Sequence, residues 1–303
     1  MFLRPLVLGL ATYVPGLRGL VLRHRGSTLD PRYCYSVWLR HLVMTLDAGA
    51  RRYPRVVAEL GPGSSLGIGL AALIGGAERY FAFDVVRLAA DREANLAVFD
   101  ALVQLFKDRT PIPGQDEYPT VHPRLASYEF PHELVPAAAF DTERLARLRE
   151  SLDTIEYVAP WSDPALIDPG SVDMIFSQAV LEHVDDLAAT YAAMHSWLRA
   201  GGVMSHQIDY QCHDTAWRWN GHWQHSDRMW SLMRGRHRYF LNREPHSRHL
   251  RLLRESGFEV ISTQTVPRHS QLTVGDLAPR FRELTSDDLV TSGAFIRARK
   301  VHA

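Results

Sequence analysis

His183, His206, His213 and Asp209 are the side chains in this sequence best suited to moving a proton near neutral pH. His206-Gln-Ile-Asp209 is followed four residues later by His213, an order that suits a general base with a carboxylate to orient it. The same side chains offer donors to a divalent ion that would lower the pKa of an alcohol, although H-x-x-D-x-x-x-H matches no established metal signature. A second concentration is ELGPGSSLG, where Glu59 precedes Gly61, Gly63 and Gly67. Glycines there let the chain turn sharply and let a ligand approach main-chain atoms at the start of a helix. Taken alone, that turn also fits a ligand-free loop or a dinucleotide site. A third is TAWRWNGHWQHSDRMW, with Trp217, Trp219, Trp223 and Trp230 interleaved with Asn220, His222, His225 and Asp227. Aromatic faces alternating with hydrogen-bonding groups suit a carbohydrate; an aromatic or lipid-like ligand, or the core of a cap, fits the same residues.

Alternating apolar runs must position these groups. Strands are expected over 55–60, 79–85, 155–158, 172–177, 203–210, 258–266 and 293–300, with helices over 65–74, 86–106, 141–152, 185–198 and 247–255. Repeated strand and helix units imply an open, mostly parallel sheet with helices on both faces, one α/β domain over 55–303. Residues 1–54 read as an N-terminal helical cap. An insert at about 107–153 carries a proline-rich, aromatic stretch over 110–136, including Tyr118, and reads as an ordered lid that covers the acceptor pocket together with the N-terminus. A Trp/His-rich cap spans about 211–246. Asp84 falls at the end of the second strand, where a carboxylate can accept both hydroxyls of a ribose. In the fifth strand, period-two alternation puts His206 and Ile208 on one face and Asp209 on the other, so joining them needs a bulge or the strand end.

From residue 55 to 300 the chain resembles the class I methyltransferases that use S-adenosylmethionine. The resemblance rests on ELGPGSSLG, Asp84, SVDMIFSQAVLEHV and LRAGGVMSHQIDY, and on SGFEVISTQTV with SGAFIRARK. It implies a doubly wound, Rossmann-like α/β fold: a seven-stranded, mostly parallel sheet with a C-terminal antiparallel strand pair, plus N-terminal helices and the lid insert. By position, Glu59 and the backbone at Gly61 and Gly63 would hold the amino acid end of the cofactor, and Asp84 the ribose. Ala159, Pro160 and Trp161 would flank the adenine, with Asp163 the available substitute for the usual acid there, and Gln178 would lie beneath the sulfonium. Methyl transfer to oxygen then needs a base, for which His206, His213 and His183 with Asp209 are the candidates. Trp217, Trp219, His222, Trp223 and Tyr118 are the expected acceptor contacts. The expected acceptor is a small molecule, a saccharide or glycoconjugate first and an aromatic or lipid-like compound second; a non-catalytic cofactor-binding module is the reading from another class.

Composition bounds the partners. Thirty-four basic and thirty-four acidic residues cancel, so no overall field gathers nucleic acid. Cys34 and Cys212 supply neither a disulfide framework nor a thiolate zinc site, which suits a reducing cytoplasm. At the N-terminus, Arg4, Pro15 with Gly16, and Arg18 interrupt the apolar run well short of the ~20 residues a spanning helix needs. Helices packed on the domain are expected there, or peripheral membrane contact aided by Arg18, Arg23 and Arg25.

Overall fold

The computed structural model describes residues 3–14, 27–46, 53–161, 163–237 and 239–301. Pro15, Gly16, Arg18, Arg23 and Arg25, on which part of the N-terminal expectation rests, lie outside them. Seven strands form one sheet: β1 (Val56–Leu60), β2 (Arg79–Phe83), β3 (Glu156–Val158), β4 (Val172–Gln178), β5 (Leu198–Asp209), β6 (Phe258–Pro267) and β7 (Thr291–Lys300). Their order is β3-β2-β1-β4-β5-β7-β6. The first five are parallel, and β7 enters antiparallel between β5 and β6, with His206 opposite Ile296. The sheet is therefore the expected doubly wound one, its order reversing between β1 and β4, where such folds leave a crevice at the strands' carboxyl ends.

Two apolar layers sandwich the sheet. One holds α2 (Pro31–Leu46), α3 (Gly67–Gly75) and α4 (Arg92–Lys107) against Val57, Met174 and Phe176; the other holds α6 (Leu187–Trp197) and α8 (His246–Glu255) against Ala58, Ile175 and Met204. Alternate residues of β1 and β4 thus serve opposite layers, as a pleated strand requires. The remaining helices among the described residues are α1 (Arg4–Ala11), α5 (Thr142–Glu150), α7 (Asp227–Arg234) and α9 (Ser286–Val290). Helix α4 starts later than its apolar pattern suggests because Asp91 caps it, accepting from the Ala94 amide at 3.1 Å. Strand β5 starts earlier, at Leu198, because that residue already pairs with Val172.

The N-terminal region divides. Helix α1 lies on α7, whereas α2 is a core element, with every residue from Cys34 to Leu42 fully buried. Within α2, Arg40 faces the proline-rich insert and donates to the carbonyls of Pro113 (2.9 Å), Val121 (3.0 Å) and Pro123 (2.7 Å). Residues 108–136 form no helix or strand, yet Ile112, Val121, Phe130 and Val135 join the core beside α2. The insert is docked on the helical layer with its carbonyls held from inside by a buried guanidinium; it does not itself line the cavity described below, although its His122 lies close enough to Asp209 to feel that carboxylate's charge and its Tyr118 packs on the cavity-lining Tyr33.

Candidate functional site

A cavity of about 520 Å³ opens at the carboxyl edge of β1, β2 and β4, within the size range of small-molecule sites. One end is bounded by Gly61 and Gly63 after β1, Phe83, Asp84, Val85 and Leu88 after β2, and Trp161 after β3. Gly61 and Gly63 have φ of +67° and +78°, left-handed values that only glycine adopts readily. A β-carbon at Gly61 would sit 2.4 Å from a γ-carbon of Val180, so the backbone is bared to the cavity with no room for a side chain. Behind the turn, Thr28 Oγ1 accepts from the amides of Ser64 (2.9 Å) and Ser65 (3.0 Å), while Asn95 Oδ1 accepts from Leu66 (2.9 Å). Thr28 and Ser27 themselves line the cavity. The loop between β1 and α3 is thus fixed by partners distant in sequence before any ligand arrives.

Glu59 does not line the cavity. Its carboxyl is 1% exposed beneath the turn, accepts from Tyr80 Oη at 2.5 Å, and is pushed up to about 8 by burial. Asp84 does line it, its Oδ1 accepting from the Val85 amide at 2.7 Å. Trp161 forms a wall, packed on Phe83 and Trp197 with centroids 5.8 and 5.5 Å away. Ala159 packs into the core and Pro160 is exposed, so of the three expected adenine neighbours only Trp161 reaches the cavity. Asp163 instead caps its own turn by accepting from Ala165 at 2.8 Å.

Gln178, the last residue of β4, lies on the cavity floor and is held at both ends. Its Oε1 accepts from His41 Nε2 (3.1 Å), and its Nε2 donates to Gln207 Oε1 (2.8 Å). Burial holds the His41 imidazole down to about 4, so it is neutral, with Nδ1 2.6 Å from Ser205 Oγ. His41 and Thr28 were not found by sequence reading. The signal for His41 was a histidine beside an arginine within an otherwise apolar helix, YCYSVWLRHLVM.

The cavity is also lined by His183, Val184, His213, Thr215, Tyr239, Phe240 and Leu241, with Tyr239 near enough to Asp84 to feel its charge. His213 Nε2 lies 3.1 Å from Asp209 Oδ2, and the His183 and His213 rings are 5.2 Å apart. Burial opposes ionisation of Asp209, but the hydrogen bond and charge of His213 and the Gln211 amide outweigh it and hold the carboxyl below its usual range. The strand end supplies the geometry that regular alternation lacks. Beyond Asp209 the chain turns back with φ of +44° at His213 and +61° at Asp214, a sparsely populated conformation held by Cys212 donating to the Trp219 carbonyl at 2.7 Å.

The structure brings His183, His213 and Asp209 together and excludes His206. That histidine is 1% exposed on the α6 and α8 face of the sheet, its Nδ1 2.7 Å from Ser177 Oγ, and burial holds it down to about 3. It does not meet the cavity, and among the described residues no group of three or more His, Cys, Asp or Glu is placed to hold a metal ion. The tryptophans are also displaced from their expected role. Trp223 is fully buried, with Nε1 donating to the Arg243 carbonyl (3.0 Å); Trp219 donates to His269 (2.9 Å), and Trp217 is 83% exposed. His222 is buried against Trp223, with centroids 4.7 Å apart. Tyr118 donates to Asp30 at 2.5 Å on the far side of Tyr33. None of these five lines the cavity.

Residues 134–205 match the family model described as methyltransferase domain. No curated protein matches the chain in sequence. Among solved structures, the chain is similar to the Haemonchus contortus phosphoethanolamine N-methyltransferase 2 in complex with S-adenosyl-L-methionine: TM-score 0.47, 13% identity, covering 95% of this chain and 61% of that one. This chain therefore spans less than two thirds of that enzyme's length. It is also similar to an S-adenosylmethionine-dependent methyltransferase from Mesorhizobium loti, with TM-score 0.42, 16% identity, and 84% and 96% of the two chains covered. A third likeness is the [4+2]-cyclase SpnF, with TM-score 0.45, 12% identity, and 100% and 93% covered. At these scores the likenesses carry no acceptor over to this chain. Sheet order and glycine turn are those of a Rossmann-like methyltransferase fold, and residues 134–205 match a methyltransferase domain, for which S-adenosylmethionine is the expected cofactor.

Proposed function

We propose that the chain transfers a methyl group to the oxygen of a small aromatic or lipid-like alcohol, with His213 as the base and Asp209 as its orienting carboxylate. The observation that carries this reading is the Asp209–His213 pair at the cavity's end, beside His183. S-adenosylmethionine supplies an activated methyl carbon, so the chain's own residues need to seat it, aim the acceptor and take one proton. Gly61, Gly63, Asp84 and Trp161 are the residues to seat it, with Gln178 held rigidly on the floor by His41 and Gln207. With a proton on Nε2, His213 donates to the Asp209 carboxylate and leaves Nδ1 to accept the hydroxyl proton; the ionised carboxylate then stabilises the imidazolium.

The choice of acceptor follows from the walls. Val184, Phe240 and Leu241 are apolar, Tyr239 adds a ring with one hydroxyl, and the tryptophans that suggested a saccharide do not line the cavity. A panel of phenols, long-chain alcohols and glycosides, incubated with methyl-labelled cofactor, tests the reading. Label is expected in the first two classes. His213→Ala should lower turnover about 100- to 10,000-fold with cofactor affinity unchanged. Label found solely in glycosides, or His213→Ala at full turnover, refutes the proposal.

A further inference from the structure

Helix α1 is turned the wrong way round for a surface helix. Its inward side is Pro5, Gly9 and the following Thr12, all buried, and a β-carbon at Gly9 would sit 2.3 and 2.4 Å from the carbonyl oxygens of Leu232 and Met233. Its outward side is apolar: Leu3, Val7, Leu10 and Val14 are 54%, 60%, 47% and 48% exposed, and their spacing of four, three and four puts them in one stripe. On α7, whose Leu232 carbonyl faces Gly9, the Leu232 side chain is also 47% exposed. Water-facing helix stripes are ordinarily polar, and a contiguous apolar patch of this kind marks an interaction surface.

The rim identifies the partner. Arg4 opens α1, Arg228 lies one turn before Leu232 on the exposed side of α7, and the Arg236 guanidinium sits over the Tyr13 ring at 4.9 Å. No Asp or Glu precedes Asp30 in the sequence, although acids and bases balance over the whole chain. Apolar side chains flanked by Arg4, Arg228 and Arg236, with the nearby acids of α7 and the turn before α6 drawn into ion pairs (Asp227 with Arg243 and Arg280, Asp185 with Arg234), match the hydrocarbon and headgroup levels of an anionic bilayer. A second copy of the same face would instead set like charges against one another. Leu6, on the side of α1 toward the domain, packs with Trp230, Met233, Phe240 and Leu241, and the last two also wall the cavity. We infer that α1 and Leu232 dock the protein onto an anionic lipid surface, which places α1 between the bilayer and the Phe240–Leu241 wall of the cavity. The docking face stands apart from the choice of acceptor, so it goes beyond the catalytic reading.

The test is co-sedimentation of the full chain with phosphatidylcholine vesicles, with and without phosphatidylglycerol. The protein is expected to pellet with the anionic vesicles and to be released by added salt. Val7→Glu with Leu10→Glu, at positions already open to water, should keep the thermal melt and stay in the supernatant. Arg4→Glu should lower partition to anionic vesicles by roughly fivefold or more, since one basic residue near such a surface is worth about 1 kcal/mol. The inference is overturned by wild-type protein that stays in the supernatant with anionic vesicles, or by equal pelleting of the double variant. It is also overturned by a concentration-dependent dimer, formed without vesicles, that Val7→Glu dissolves.

Discussion

Gly61→Ala isolates the contribution of the glycine turn to cofactor binding. An alanine at φ +67° carries about 1–2 kcal/mol of left-handed strain. Its β-carbon would also lie 2.4 and 2.8 Å from the two γ-carbons of Val180, well inside the ordinary carbon contact of about 3.5–4.0 Å. Relieving that overlap adds about 1–3 kcal/mol. The turn cannot simply slide away, because the Gly61 amide donates to the Phe83 carbonyl at 2.7 Å and the next turn is tied to Thr28. Together these effects amount to about 2–5 kcal/mol, and if the loop moves outward to escape them, affinity for the cofactor or its demethylated product falls at least about tenfold. Calorimetric titration reads the affinity, and a thermal melt reports whether the fold survives. Val180→Ala removes both γ-carbons, so the double variant should recover the overlap share and keep the φ share, giving a coupling of about 1–3 kcal/mol in a double-mutant cycle. Wild-type affinity in Gly61→Ala, or strict additivity of the two substitutions, refutes the reasoning.

Four further outcomes are expected. Asp84→Ala should weaken cofactor binding by about 1.5–3 kcal/mol, roughly 10- to 150-fold by calorimetry, if its carboxylate takes the ribose hydroxyls. Asp209→Asn should keep the fold and cofactor affinity while lowering turnover by about 100-fold or more in single-turnover assays, because an amide in that place can stabilise the wrong tautomer of His213. Trp217→Ala, at an 83% exposed position, should leave the melt within about 0.5 kcal/mol, whereas Trp223→Ala, fully buried, should lose about 3–5 kcal/mol. Acid should unfold the protein early: burial holds His41 down to about 4 and His206, His222 and His249 to about 3, so these rings stay neutral in the fold but protonate near 6.5 once unfolded. The unfolded state therefore binds more protons below about 6.5, and stability present above that pH is lost on acidification by up to about 1.4 kcal/mol per unit for each ring; denaturant midpoints that stay flat from about pH 7 to pH 5 contradict this.

The sheet was legible in the sequence because its signals are local. Each strand is a short apolar run stopped by a glycine, an acid or a cap, and all seven runs became strands in an order set by two-sided packing. The glycine turn and Asp84 were legible for the same reason, since chain direction carries residues that follow β1 and β2 to the carboxyl edge. Direction is also where the histidines parted. His206 and His213 look equivalent as residue types, but His206 precedes the end of β5 by three residues, about 10 Å of strand, and faces the helical layer beneath. His213 lies past that end, where the chain is free to fold back onto Asp209. For the tryptophans, composition announced a need for burial and partners without saying whose: Trp219, Trp223 and Trp230 each donate their indole N–H to a backbone carbonyl within the fold. The insert was legible only in part. Its prolines foretold irregular backbone, and what could not be read was that Arg40, about eighty positions away, would satisfy its carbonyls from inside the core.

The two ends of the cavity are built by different means, and this bears on how acceptor choice is set. The cofactor end comes from consecutive strand ends of one rigid sheet, so moving any of its parts disturbs the core. The proposed acceptor wall is assembled from the turn after β4, the turn after β5 and the strip at 239–241, which meet through the His183–His213 and His183–Tyr239 ring contacts and a few polar ties. Asn242 is the principal one: its amide donates to the Glu182 carbonyl (2.8 Å) and its Nδ2 to those of Leu181 (2.7 Å) and Val184 (2.9 Å). Each of those carbonyls belongs to the turn that carries His183. The strip bearing Tyr239, Phe240 and Leu241 is therefore held in register with the histidines by backbone groups whose geometry does not depend on which side chains the strip displays. Replacing those three side chains would alter the shape offered to an acceptor while leaving the base, its carboxylate and the glycine turn where they are. If the proposed acceptor site is right, a turn fixed to the sheet joined to a separately pinned wall means that acceptor choice is to be sought in Val184 and the 239–241 strip rather than in the sheet topology.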